Sequence, residues 1–92
     1  MTFKLTIRPI AFGQLQILKK GDKNAYLKCF DLILSVIDNP FEGIGKPERL
    51  KGFGEICVYS RRINDKDRLI YNVFDDIKTI EILSCQGHYD DH

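Results

Sequence analysis

A glutamate set among cations, in Lys46-Pro47-Glu48-Arg49-Leu50-Lys51, is the first place in this chain where side chains could do chemistry. A carboxylate can take a proton while neighbouring cations hold phosphate oxygens. Taken alone, the segment also reads as a solvated loop entering a strand. The second group is Arg61, Arg62 and Arg68, which an intervening turn places near the end of one strand and the start of the next. Residues 61 and 62 must point to opposite faces of an alternating strand, which separates their roles. Arg68 opens the stretch Arg68-Leu-Ile-Tyr71, and a guanidinium there can donate two fixed hydrogen bonds to a phosphate. The third group is His88-Tyr89, just after the last strand. Histidine exchanges a proton near neutral pH, so a terminal histidine beside a basic sheet face is an acid or base candidate; the plainer reading is a solvated tail.

No Gly-rich phosphate loop, G-x-S-x-G elbow or H-E-x-x-H motif is present, so an enzyme built on this chain works with bare side chains and no cofactor. His88 and His92 are four residues apart, but a short tail lacks a rigid scaffold and no upstream His or Cys cluster completes a ligand set, so no metal is expected. A glutamate, several Arg and Lys, a histidine and a tyrosine make the set needed to cleave RNA through its own 2′-hydroxyl. A base removes that proton, cations stabilise the crowded phosphorane, and an acid protonates the departing oxygen. Acid–base help of this kind contributes roughly 10²–10⁴ in rate. Each well-placed charge on the transition state adds about 10²–10³.

These groups must be carried by a small body. The chain has 92 residues, 43% of them apolar, which suffices for one core and a single domain over residues 1–92, with an acidic extension at 90–92. The net charge of +1 does not by itself mark a nucleic-acid binder. From Lys46 to Arg68, however, seven cations face four anions, and a local basic patch can bind phosphates on a nearly neutral chain. Cys29, Cys57 and Cys85 are widely spaced and odd in number, which argues for reduced packing residues. No stretch approaches the ~20 apolar residues of a membrane span, so the expected location is the cytoplasm.

Phe3, Leu5 and Ile7 alternate with polar residues as in a half-buried strand. Pro9 suits the first turn of a helix whose buried side would be Ile10, Phe12, Leu15, Ile17 and Leu18, ending at Gly21. Asp22 is an N-cap candidate for a second helix carrying Tyr26, Cys29, Phe30, Ile33, Val36 and Ile37, stopped at Asn39-Pro40. Residues 40–47 hold two glycines and two prolines and must turn. Ile56–Ile63, Arg68–Phe74 and Thr79–Cys85 are β-branched and aromatic-rich, with polar turns between them, and predict an antiparallel meander. The order strand, two helices, three strands implies an α+β domain with the helices on one face of a twisted sheet.

Four blocks in order, from Asn39-Pro-Phe-Glu-Gly-Ile-Gly-Lys-Pro-Glu-Arg-Leu-Lys51 through Tyr59-Ser-Arg-Arg-Ile63 and Asp67-Arg-Leu-Ile-Tyr71 to Cys85 with His88-Tyr89, resemble the signature of the YoeB (Txe) branch of the RelE toxin superfamily. The resemblance implies a microbial-RNase-like α+β fold and an mRNA interferase that acts in the ribosomal A site. It implies as partners the ribosome with its mRNA, a YefM/Axe-like antitoxin, a second copy in a homodimer, and operator DNA reached only through the antitoxin complex. By the same resemblance Glu48 matches the catalytic carboxylate, Arg68 the phosphate-stabilising arginine, and His88 and Tyr89 the C-terminal catalytic pair. Lys46 and Lys51 match basic positions beside the RNA path, and Arg61 and Arg62 are counted with the RNA-binding cations.

Three features depart from the family pattern. The chain has no tryptophan, having Phe12 and Leu18 in the first helix; Gln86-Gly87 stand where a basic residue and an aromatic are usual; and Asp90-Asp91-His92 run past the His-Tyr end. Two other functions fit the same scaffold: a non-catalytic, protein-binding toxin of the ParE type, or an inactive relative that only binds its antitoxin. Glu48, Arg68 and His88 together favour cleavage over the first, with the acid and base roles of Glu48 and His88 exchangeable.

Overall fold

Alternation sets the first strand, β1 (Lys4–Ile7), whose odd positions Leu5 and Ile7 turn toward the core in the computed structural model, which describes residues 2–86. Pro9 opens α1 (Pro9–Gly21) without wasting a backbone donor. Lys19 and Lys20 stand in its last turn, where the dipole favours cations. Asp22 then caps α2 (Lys23–Asp38), its Oδ1 accepting from the Ala25 amide at 3.1 Å, as the sequence predicts.

After the turns that follow α2, two residues form the short strand β2 (Glu48–Arg49), followed by β3 (Val58–Arg62), β4 (Arg68–Phe74) and β5 (Thr79–Ser84). The sheet order is β1-β5-β4-β3-β2. The expected meander is present as β3-β4-β5, with Asn64 Oδ1 accepting from the Lys66 and Asp67 amides to fix the β3–β4 turn. Two points correct the sequence reading. Glu48 and Arg49 form an edge strand paired with β3, and β1 joins β5 in parallel, so the sheet is mixed.

Both helices cover one face of the sheet. Their buried residues Ala11, Leu15, Leu18, Ala25, Cys29, Leu32, Ile33 and Val36 meet Leu69, Tyr71, Val73, Ile80 and Ile82. The buried stripe of α1 thus runs through Ala11, Leu15 and Leu18, while Ile10, Phe12 and Ile17, expected inside, are exposed. Phe30 of α2 is also outside, at 42% exposure. The helical period was right for Leu15 and Leu18, but the small Ala11 takes the closest approach that a larger neighbour could not.

Cys29 and Cys85 are buried free thiols and Cys57 is half-buried. The Cys85 thiol donates to the Ala11 carbonyl at 3.5 Å. Hydrogen bonding to Cys85, aided by burial, pushes the Cys29 thiol far above its ordinary range, so Cys29 remains protonated and packs as a small apolar residue.

Candidate active site on the helix-free face

Register brings separated polar residues together. Glu48 lies opposite Ser60 and Ser60 opposite Ile70, forming one row across three strands. Directly paired residues project to the same face, here the one away from the helices. Two residues along β3, Arg62 lies opposite Arg68 on that face. Glu48 and Arg62 are exposed and Arg68 is half-buried, and neither arginine makes an ion pair among the described residues. Two unpaired guanidinium groups facing each other repel. An anion placed between them would remove that repulsion and accept from both.

Lys46 and Lys51 flank β2 and are exposed. Lys46 adopts φ 51, an uncommon left-handed turn for a non-glycine residue, directly before the strand that carries Glu48. Glu48, Arg49, Leu50 and Lys51 line a hollow of about 250 Å³ at this edge. A larger hollow, about 570 Å³, is lined by Arg8, Pro9, Ile10, Ile70, Leu83 and Ser84 at the other end of the row. A register shift between Ile70 and Tyr71 marks a bulge beside it.

Arg61 corrects the sequence reading. It is fully buried on the helix side, and its donors are committed. Nε donates to the Tyr71 hydroxyl at 3.0 Å. Nη1 donates to Ser35 Oγ at 2.6 Å and the Ile44 carbonyl at 3.1 Å. Nη2 donates to the carbonyls of Asn39 and Glu42 at 2.6 and 3.0 Å. A guanidinium has five N–H groups, and five bonds use them all, so Arg61 has no donor left for RNA. Its charge is met by the oxygen-rich C-terminal end of α2 and the following turn. The Tyr71 hydroxyl in turn donates to the Pro40 carbonyl at 2.7 Å. Burial raises the Tyr71 phenol above its ordinary value, with the Arg61 bond acting in opposition.

This clamp explains the glycines of Glu42-Gly-Ile-Gly45. Gly43 has φ +135 and Gly45 φ +82; a Cβ on Gly43 would strike Ser35 Oγ, and one on Gly45 would sit 2.6 Å from Leu32 Cδ2. Only a bare backbone lets the turn carbonyls reach Arg61. The Gly45 carbonyl accepts from the Arg62 amide at 2.7 Å, fixing the chain just before Lys46 and Glu48.

Sequence reasoning missed Ser60 and Gln14. Gln14 Oε1 accepts from the Cys85 amide at 2.8 Å and from Ser84 Oγ at 3.1 Å, tying α1 to the end of β5. Both were invisible because their meaning depends on partners 12 and 71 residues away. His88 and Tyr89 lie outside the described residues.

The fold and the basic face define a small α+β protein of the RelE type. A chain of the archaeal RelE-RelB complex from Pyrococcus horikoshii superposes with a TM-score of 0.76 at 25% identity, covering 99% of this chain and all of that one. The Staphylococcus aureus YoeB, solved as a dimer, matches more closely: TM-score 0.83 and 40% identity, over 97% of this chain and 100% of the other. In its heterotetrameric complex with YefM the TM-score is 0.78, with the same coverage. Toxin YoeB of Escherichia coli K12 is 43% identical over 75 residues, 77% of this chain and 81% of the relative. The family model described as YoeB-like toxin of bacterial type II toxin-antitoxin system matches residues 8–89. The chain belongs to this YoeB-like toxin family.

Proposed function

We propose that this protein is a ribosome-dependent endoribonuclease that cleaves mRNA in the A site and is silenced by a YefM-like antitoxin. The observation that carries the reading is the placement of Glu48 one row along the same face from the facing Arg62 and Arg68, neither of which has an ion pair among the described residues. Glu48 takes the proton of the 2′-hydroxyl as that oxygen attacks the adjacent phosphorus. Arg68, with Arg62 beside it, holds the non-bridging oxygens as charge builds on them. His88, supported by Tyr89, returns a proton to the departing 5′-oxygen, a role taken from the resemblance; exchange of the acid and base roles leaves the products unchanged. Lys46 and Lys51 attract the backbone on either side of β2. No step in this scheme needs a metal or a cofactor.

Ribosome dependence follows from size. A domain with net charge +1 has too few phosphate contacts to hold and splay free RNA, so the codon must arrive already unstacked. The site of action is then the cytoplasm. Exposed Leu27, Phe30 and Leu34 on α2 and Ile10, Phe12 and Ile17 on α1 offer apolar surface for protein partners, an antitoxin or a second copy. Operator DNA is reached through the antitoxin complex alone.

Mapping of mRNA ends in a translating extract tests the proposal. The wild type should leave cuts within codons that are absent with Glu48→Ala, and antitoxin should suppress them. Equally rapid cutting of naked RNA would overturn the ribosome requirement, and cuts that survive Glu48→Ala would overturn the assigned base.

A further inference from the structure

Ser60 is fully buried, and among the described residues its Oγ is the buried side-chain polar atom without a hydrogen-bond partner. A buried hydroxyl ordinarily finds one, because leaving it unpaired forfeits the bonds it made to water. Its surroundings supply few candidates. Across one strand boundary it faces Ile70, which is apolar; across the other it faces Glu48. Directly opposed residues have Cβ atoms only about 5 Å apart, well within the reach of a glutamate carboxylate folding over a serine. Arg62 and Arg68 stand one row further along, at diagonal rather than direct positions.

We infer that Ser60 is a positioning residue for Glu48: its hydroxyl donates to the Glu48 carboxylate when that side chain turns in over the sheet, and so fixes the oxygen that takes the 2′-hydroxyl proton. The inference rests on the nuclease reading proposed above. Burial separates this role from substrate binding, since a side chain with no exposed surface is covered before RNA arrives. It also explains why an unpaired hydroxyl occupies the strand at all. In the resting fold the hydroxyl costs stability, and its partner comes with the catalytic geometry. A hydrogen bond to a carboxylate is among the stronger kinds, and it leaves the carboxylate's second oxygen free to act as base.

The test compares wild type, Ser60→Ala and Ser60→Thr for thermal midpoint and for cleavage of mRNA in programmed ribosome complexes, with kcat and KM separated. Ser60→Ala should leave the midpoint unchanged or higher, lower kcat on the order of tenfold, and leave KM unchanged. Ser60→Thr, scored per folded molecule, should recover most of the rate because it keeps the donor. A Ser60→Ala protein that cuts at the wild-type kcat overturns the inference while the nuclease reading stands. So does a lowered midpoint with normal kcat per folded molecule, which makes the hydroxyl structural, or a raised KM with normal kcat, which makes it an RNA contact. If the wild type itself leaves no cuts, the nuclease reading fails first and takes this inference with it.

Discussion

Arg61 and Arg62 are joined by one peptide bond, yet one is sealed against the helices with five hydrogen-bonded partners and the other projects from the opposite face with no ion pair among the described residues. The difference shows how one residue type does two jobs in adjacent positions. On the helix side the guanidinium is a rigid five-point connector that gathers α2, the turn after it and β4. On the other side Arg62 faces Arg68, and the pair is a surface for an anion because nothing inside the described protein satisfies it. The first arginine is spent on holding the loop that leads to Glu48. The second retains its donors for a ligand.

Breaking the connector should have the largest effect. Arg61→Ala removes five bonds at once, taking the donor from the carbonyls of Asn39, Glu42 and Ile44 and from the Ser35 hydroxyl, and leaving the Tyr71 hydroxyl with its Pro40 bond alone. A cost on the order of 3–5 kcal/mol in urea unfolding is expected, a large share of a small domain's stability. Arg61→Lys should rescue little, since an ammonium has three donors where five are used. A fully stable Arg61→Ala protein with impaired RNA cleavage would reverse the comparison and return Arg61 to the RNA path.

Arg68→Ala should do the opposite, lowering the cleavage rate by ~10²–10³ while moving stability by less than about 1 kcal/mol. In the sheet Arg68 opens β4, which has neighbours on both sides, and it is half-buried. Its lack of an ion pair among the described residues keeps the expected stability effect small. Partial activity in Arg68→Lys would show that charge matters and the planar fork matters more; full activity would make charge sufficient.

A smaller loss is expected from Tyr71→Phe, which leaves the Arg61 Nε donor and the Pro40 carbonyl unpaired, at roughly 1–3 kcal/mol in denaturant. The same residue sharpens the comparison through pH. The folded protein raises the Tyr71 phenol above its ordinary value of 10.0, so the folded state holds this proton more tightly than the unfolded chain. The contribution is fully present below about pH 10 and is lost as pH rises through the raised folded value. Urea midpoints followed into the alkaline range should therefore fall more steeply for the wild type than for Tyr71→Phe.

Arg62→Ala should have the least effect on the fold. Relief of repulsion with Arg68 predicts a gain of a few tenths of a kcal/mol at low salt that fades as salt is added. Inorganic phosphate should raise the thermal midpoint of the wild type more than that of the variant, because an anion held by both guanidinium groups stabilises only the folded state. Equal phosphate responses would show that the facing pair is not an anion site.

The two helices, their Asp22 cap, the β3-β4-β5 meander and the family could be read directly along the chain, because capping, period and turn chemistry act between residues that are near in sequence. So could the placement of Arg61 and Arg62 on opposite faces, which follows from the pleat alone. Which of the two goes inside could not, since alternation is symmetric until something covers one face. Packing of α1 and α2 breaks that symmetry, and it also puts Ala11 inside while Ile10, Phe12 and Ile17 remain out. Pairing of β2 with β3 and of β1 with β5 likewise joins segments about 12 and 75 positions apart, where no local signal sets the register. The residue types for phosphate chemistry were therefore present in the chain, but Glu48, Ser60, Arg62 and Arg68 became neighbours only when long-range strand pairing set them on one face.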